Sequence, residues 1–505
     1  MMSGTLLICF LFVPPLAGLL GCLMPWSSRA MLRINAAVAG VQCCIVAVIY
    51  THTGNTGRLF AFANNLFIDA LSLYHIALVA LVFFLSSVYS LSFFTEDIDR
   101  GAFGPKRAKR FGLLWNGFFA ILTAVLCSNN LGILWICLEA TTLISALLIL
   151  TDGHPASIEA MWKYLLLCSV GIAFAFVGTL LLSIAARGAM IPPGETLLWT
   201  SLSDKAGMLD GRIMCAAFIF VLVGFGTKAG LAPMHTWLPD AHSQAPTPVS
   251  SVFSGIMLNC ALYCIMRYLP LCEASMGWRG RPHAMLIMFG LVSIIVAAVF
   301  IPSQKNIKRL LAYHSVEHMG IIALGLGIGG LGTFAALFHT LNHSVSKTLA
   351  FFSAGRLARQ YGTYDMTVMK GAIASNPLWG TAFFISILAL LGVAPFSVFM
   401  SEFQLVKASI DTGRFLELAV FLFGSIVVFI SALRHAVDVS MGQKAPGLNA
   451  PVWFARDFAI VAVCAVLLLG LGFFMPQGYV DMLKNAACIV EGIQNLPGLT
   501  GGMLQ

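Results

Sequence analysis

Charge is what this chain has least of: Asp, Glu, Lys and Arg make up 10% of its 505 residues, against 59% hydrophobic. Its polar stretches are all too short for a soluble catalytic domain, which needs at least about 50 residues. No dinucleotide site and no Walker lysine can be read from it, so no nucleotide cofactor is expected. The thirteen cysteines include no C-x-x-C. Cys260 and Cys264 stand one helical turn apart, but no nearby pair completes a metal site, and the cysteines read as small apolar packing residues. Neither a metal nor any other cofactor is expected. A basic stretch ahead of the first apolar run is also missing, which disfavours a cleaved signal peptide. The net charge of +8 lies mostly in loops, where it sets orientation and gives no reason to expect nucleic acid.

Apolar runs of about twenty residues remain, and they recur along the whole chain. Fourteen can be drawn, near 4–24, 34–50, 69–93, 111–127, 131–150, 162–185, 213–238, 248–269, 284–301, 310–329, 331–355, 377–400, 414–434 and 457–475. The expectation is an all-α polytopic membrane protein with about 14 transmembrane helices, in contact with membrane lipid. The tail from Tyr479 to Val490 has the pattern of an amphipathic surface helix. Of the 29 Lys/Arg, 17 fall in or beside loops after odd-numbered spans and 10 after even-numbered ones, Lys228 and Lys347 being the remaining two. The positive-inside rule then places both termini on the outer side of a bacterial or archaeal cytoplasmic membrane.

Lys228 lies inside a span, just after the apolar run from Ile213 to Phe225. A lysine at that depth costs at least ~2.5–3.5 kcal/mol, and such residues usually face a polar cavity. Gly226, Gly230, Pro233 and Pro239 surround it, so the helix should be broken or loosened there. A lysine snorkelling to the interface is the plainer alternative, though it gives the glycines and prolines no purpose. His235, Asp240 and His242 follow, and His235 joins the candidate set. Glu139 is the one carboxylate between Leu131 and Leu150. Unpaired and ionised it would be too expensive, so it is protonated or paired, with Lys228 the simplest partner; a glutamate that only staples two helices is the alternative.

His339, His343 and Lys347 recur at i, i+4 and i+8, on one face of a helix with about 6 Å per step. Such a stripe of titratable groups fits a proton relay. Zinc on His339 and His343 is the alternative, but the sequence offers no evident third ligand. His314 and His318 share a face as well, with Glu317 between them as a relay element or a structural pair. Glu402 follows a second interrupted span, Leu390-Leu-Gly-Val-Ala-Pro395. Paired interrupted helices in two halves are the sequence sign of an inverted-repeat transporter.

The run from Lys228 to Ser251, KAGLAPMHTWLPDAHSQAPTPVSS, resembles the signature of the antiporter-like membrane subunits of the complex I superfamily. The run AYHSVEHMG is similar to the hydrogenase-associated branch, of the hydrogenase-4 and formate hydrogenlyase type. The resemblance implies two inverted five-helix repeats with broken helices 7 and 12, and a glutamate of the fifth span paired with Lys228. Glu402 stands where one branch carries lysine and another glutamate. Asn259 stands where many relatives carry a lysine, which weakens any continuous charged axis, because asparagine orients water but carries no proton charge.

The implied domains are 1–110 (helices 1–3), 111–270 (first repeat), 271–435 (second repeat) and 436–505 (helix 14 and tail). The implied function is proton translocation within a redox-driven complex, most simply a membrane-bound nickel–iron hydrogenase or formate hydrogenlyase. Its partners would be other membrane subunits and a peripheral hydrogenase or dehydrogenase arm. The alternatives are the M-type chain of NADH:quinone oxidoreductase, a subunit of a multi-subunit cation/proton antiporter, and a scaffold that has lost transport. The basic asymmetry makes the first prediction: a reporter fused after Gln505 is active only on the outer side, and cytoplasmic activity overturns the assignment.

Overall fold

Backbone amides in hydrocarbon need partners within their own segment, which favours helices. The computed structural model describes residues 2–54, 57–275, 280–444, 447–448 and 450–494. Its main helices are α1 (Met2–Leu23), α2 (Ser28–Thr53), α3 (Ala70–Phe93), α4 (Pro105–Leu126), α5 (Leu131–Ile149), α6 (Pro155–Ala185), α7 (Gly211–Ala229) and α8 (Trp237–Gln244). There follow α9 (Thr247–Ala274) and α10 (Arg281–Phe300). The remainder are α11 (Ile307–Ile328), α12 (Leu331–Tyr361), α13 (Pro377–Leu390), α14 (Ser397–Asp411), α15 (Phe415–Ser440), α16 (Ala455–Phe473) and α17 (Gln477–Glu491). Among the described residues, eleven helices are long and apolar enough to cross a membrane. The outer faces of α1, α6, α15 and α16 carry exposed Leu16, Leu20, Leu166, Val170, Phe423, Ile430 and Val466, as a lipid-facing rim requires.

The connections gather at two ends. At one end the hairpin Leu59–Ala61 and Leu66–Ile68 bridges to Ser128, and Asn130 bridges to Leu198. At the other, Asn306 bridges to Asp365, and Arg309 and Arg359 pair with Asp240 and Asp97 at 2.5 Å each. Loops after even-numbered and odd-numbered spans are thus segregated.

Both interruptions have the same local cause. After α7, Gly230 adopts φ +76° and its N–H closes on the Gly226 and Thr227 carbonyls. After α13, Gly392 adopts φ +62°. A residue with a Cβ is disfavoured at such angles. The Trp237 indole donates to the Thr227 carbonyl at 2.8 Å and so ties α8 back to α7. Pro239, expected to help break the helix, instead sits in the first turn of α8, where a missing N–H costs nothing. The glycine spacing G-x-G-x-x-G does occur, at Gly325–Gly330, but across the last turn of α11 and the turn into α12, with no strand before it.

The centre is built from α9, α11 and α12, which are buried almost throughout. One wide turn interrupts α9 at Phe253–Met257, where the Leu258 N–H reaches the Phe253 carbonyl five residues back. The expected tail helix is α17, whose Val480, Leu483, Ala486, Ala487 and Val490 are buried. It packs on α3 and α12.

Arg267, taken from sequence as a loop charge, lies inside α9 and is fully enclosed. Its guanidinium donates twice to Asp69, at 2.7 Å each, and to Ser72 at 2.7 Å. It lies against the rings of Phe67, Trp199 and Tyr263 at 4.7–4.9 Å. Asp69 also caps α3 through the Ser72 N–H at 2.9 Å. The pair pins α9 to the start of α3. Asp69→Ala leaves a buried guanidinium without its counter-charge and is expected to cost about 3–5 kcal/mol. The check is the thermal midpoint of the purified protein, which should fall by several degrees; an unchanged midpoint shows that the pair does not hold the fold.

Candidate functional site

The central groups fall into two clusters on either side of Asn259. In the first, Lys228 occupies the last turn of α7 and is fully enclosed. No ion pair within 4.0 Å joins it to Glu139. A hydroxyl stands between them instead. The Lys228 ammonium donates to Thr142 Oγ1 at 2.9 Å, and Thr142, one turn after Glu139 on α5, donates to the Glu139 carboxylate at 3.4 Å. The other Glu139 oxygen accepts from Ser169 of α6 at 2.7 Å. Lys228 also donates to the Tyr164 hydroxyl and lies 4.7 Å from the centre of that ring. The Ser145 hydroxyl is spent on the Thr141 carbonyl at 2.5 Å, so it accepts from Tyr164, also at 2.5 Å. One arm from the ammonium therefore reaches a carboxylate, and the other ends on a backbone carbonyl.

The second cluster spans α11, α12 and α14. His339, His343 and Lys347 form one row on α12, and all are buried. Lys347 donates to the Leu311 carbonyl of α11 at 2.6 Å. His339 Nε2 lies 2.8 Å from His318 Nδ1, and His339 Nδ1 lies 3.0 Å from Ser401 Oγ. The Ser401 hydroxyl is itself donated to the Val398 carbonyl at 2.8 Å. Ser401 must then accept from His339 Nδ1–H, which leaves His339 Nε2 as a lone pair that accepts from His318 Nδ1–H. The His343 ring lies 5.2 Å from that of His318. His314 Nδ1 pairs with Glu317 at 3.1 Å, within one turn of α11. Glu402 is half-buried on α14, its carboxylate set where a Cβ at Gly392 would collide with it.

Between the clusters, Asn259 donates to Ser344 Oγ at 3.0 Å and to the Gly255 carbonyl at 2.8 Å. Ser344 donates to the same carbonyl at 2.5 Å. This junction is neutral throughout. His235 is set apart from both clusters: it lies in the turn between α7 and α8, its ring 6.4 Å from Phe300 and 6.1 Å from Tyr313.

Several polar groups of the site were not singled out from sequence. Thr142, Tyr164 and Ser169 surround the first pair, and only Thr142 had a signal, its position three residues after Glu139. His242 is fully buried among Trp237, Phe253 and Phe351, with no partner on either ring nitrogen. Its signal was its place in the Lys228–Ser251 run. Lys308 is buried, donates to the Ala245 carbonyl at 2.7 Å and stands 4.5 Å from the Tyr364 ring centre.

Residues 128–429 match the family described as NADH:quinone oxidoreductase/Mrp antiporter, TM. A hydrogenase-4 component F homolog of Methylacidiphilum infernorum (isolate V4) is 34% identical over 431 residues, covering 84% of this chain and 88% of the relative. The fold is also that of a chain in the membrane-bound sulfane sulfur reductase, an archaeal respiratory membrane complex, with TM-score 0.85 at 22% identity, covering 96% and 97% of the two chains. A chain of the Mrp complex from Dietzia sp. DQ12-45-1b gives TM-score 0.85 at 19% identity, covering 97% and 98%. The three likenesses cover 84% to 97% of this chain, and the matched family spans both clusters. The chain is thus a member of the NADH:quinone oxidoreductase/Mrp antiporter transmembrane family, an antiporter-like membrane subunit of the complex I superfamily.

Proposed function

We propose that this chain carries protons across the membrane as one subunit of a redox-driven complex with a hydrogenase-type peripheral arm. The observation that carries the reading is the pair of enclosed lysines, Lys228 and Lys347, each held by neutral oxygens and each beside further titratable groups. An ammonium held only in this way gains or loses its proton in response to a modest change in nearby charge. Moving one charge through ~100 mV is worth about 2.3 kcal/mol, the size of a hydrogen bond to a charged group, ~1.5–3 kcal/mol. A push from a neighbouring subunit is therefore sufficient, with no large backbone motion.

In this reading Glu139 and Lys228 alternate between a direct pair and the arrangement bridged by Thr142. His318, His339, His343 and Lys347 pass protons in the second half, with Glu402 toward the outlet. His314 and Glu317 flank this row, and His235 serves from the turn after α7. Both termini face outward, and residues 111–270 and 271–435 act as two inverted repeats about Asn259. The hydrogenase-type arm rests on the likeness to the hydrogenase-4 component F homolog. A second reading, a subunit of a multi-subunit cation/proton antiporter, draws on the likeness to the Mrp complex. The subunits that co-purify distinguish the two: a hydrogenase arm, or small membrane proteins alone.

Lys347→Ala is expected to abolish most proton transport in sealed vesicles while the complex still assembles; normal pumping removes the relay. Glu139→Gln and Lys228→Met are each expected to uncouple transport from the redox reaction, and the double variant to be little worse than either, because both remove one switch. Additive losses would make the pair structural. Tyr164→Phe takes one hydroxyl from the ammonium and is expected to slow pumping about tenfold, the equivalent of ~1.4 kcal/mol; an unchanged rate shows that this hydroxyl does not hold the working lysine.

A further inference from the structure

Sequence spacing offered zinc two histidines on one helix and no third ligand. The fold supplies a different set. His318 of α11, His339 of α12 and Glu402 of α14 each place one ligand atom within 4.8 Å of the other two. We propose that these three residues form a binding site for a divalent transition-metal ion of the zinc class, and that an ion seated there blocks the chain. The blocking half rests on the proton-transport reading above; the binding half stands without it.

The donor set suits such an ion: two imidazoles and a carboxylate, with the fourth position left for water. His339 is already prepared. Its Nδ1–H is fixed on Ser401, so Nε2 presents a lone pair, the usual support for a metal-bound histidine. His318 Nδ1 lies 2.8 Å from that lone pair because a proton sits between them. Zinc–nitrogen bonds of about 2.0–2.1 Å set ligand atoms roughly 3.3 Å apart in a tetrahedron. The two rings therefore separate by about half an ångström as the ion takes the proton's place. That proton has somewhere to go, since His318 Nε2 is buried with no partner. It moves from Nδ1 to Nε2 of the same ring, leaving both histidines neutral, and Glu402 releases any proton it holds to water.

Glu402 is the half-buried member of an otherwise enclosed trio, the one an arriving ion meets first. On the same helix, Met400, Phe403, Gln404 and Lys407 line a cavity of about 770 Å³ that also reaches Gly329 and Asp411. Gln404 is buried there with its amide oxygen unpartnered, a further neutral ligand for a hydrated cation. Glu402 is the sequence neighbour of Phe403 and is not itself among the lining residues. The loops at this cavity follow even-numbered spans, and entry from this outer side, under the orientation expected above, is part of the proposal. Once seated, it occupies both nitrogens of the His318–His339 hydrogen bond and leaves no proton to pass between them.

The test uses the purified complex, stripped with a chelator and titrated with Co²⁺, whose visible absorption reports four-coordinate binding. Wild type is expected to bind one Co²⁺ that Zn²⁺ displaces, and the difference spectrum should vanish in His339→Gln and Glu402→Gln. Ser401→Ala, which removes the support of His339 and leaves the three ligands in place, should weaken binding about tenfold. Glu317→Gln should leave binding unchanged, since Glu317 is not one of the three ligands, although it belongs to a neighbouring group, His314, Glu317 and His318, that shares His318 with the site. Subunit composition checks that each variant assembles. Absence of the wild-type signal, or its survival in both ligand variants, overturns the site. In proteoliposomes, Zn²⁺ added on the cavity side should stop pumping. If binding shows the stated residue dependence but pumping continues, the site stands and the block falls.

Discussion

Three ammonium groups enclosed away from water set the terms for this structure. Lys228, Lys308 and Lys347 are at most 1% exposed, and no carboxylate stands within 4.0 Å of any of them among the described residues. An ammonium taken out of water is costly unless its hydrogen bonds are replaced, so each needs strong acceptors. Hydroxyls and backbone carbonyls supply them, at Thr142, Tyr164, Ala245 and Leu311. A neutral cage of this kind holds each ammonium by hydrogen bonds alone, with no counter-charge beside it. A tight ion pair would fix the charge. The Asp69–Arg267 pair does so, and it pins α9 to α3.

The interruptions after α7 and α13 serve the same constraint. Backbone groups freed by a broken helix must be satisfied inside the protein. Gly230 and Gly392 close the turns, and the Trp237 indole takes the Thr227 carbonyl one residue before Lys228. The lysine thereby sits at a helix end, where cations are favoured. Glu402 follows the second interruption with its carboxylate packed on Gly392, so the shape of that turn and the placing of the acid are one feature.

Much of this was legible because it is written in local spacing. The row His339, His343 and Lys347 follows from 3.6 residues per turn, and the break beside Lys228 from its glycines. What could not be read depends on how helices are rotated against one another. The pairing of Lys228 with Tyr164, and of His318 with His339, joins residues of separate helices at matching depths, and no single helix encodes that register. Arg267 misled the reading for a related reason: a cation near the end of an apolar run looks like a loop charge until its partner, 198 residues earlier, is in view.

The wide turn at Phe253–Met257 determines how this chain must be compared with others. It holds one residue more than an ordinary helical turn, and each residue rotates an α-helix by about 100°. Asn259, Tyr263 and Arg267 come after it at intervals of four, and their partners are Ser344, Ser72 and Asp69. The turn therefore sets the angular phase of all three at once. A relative built with plain α-helical turns here would present a residue one position displaced to Ser344. Which residue answers to Asn259 in such a protein is decided by the angle at which the helix leaves the turn; counting forward from Pro248 does not give it.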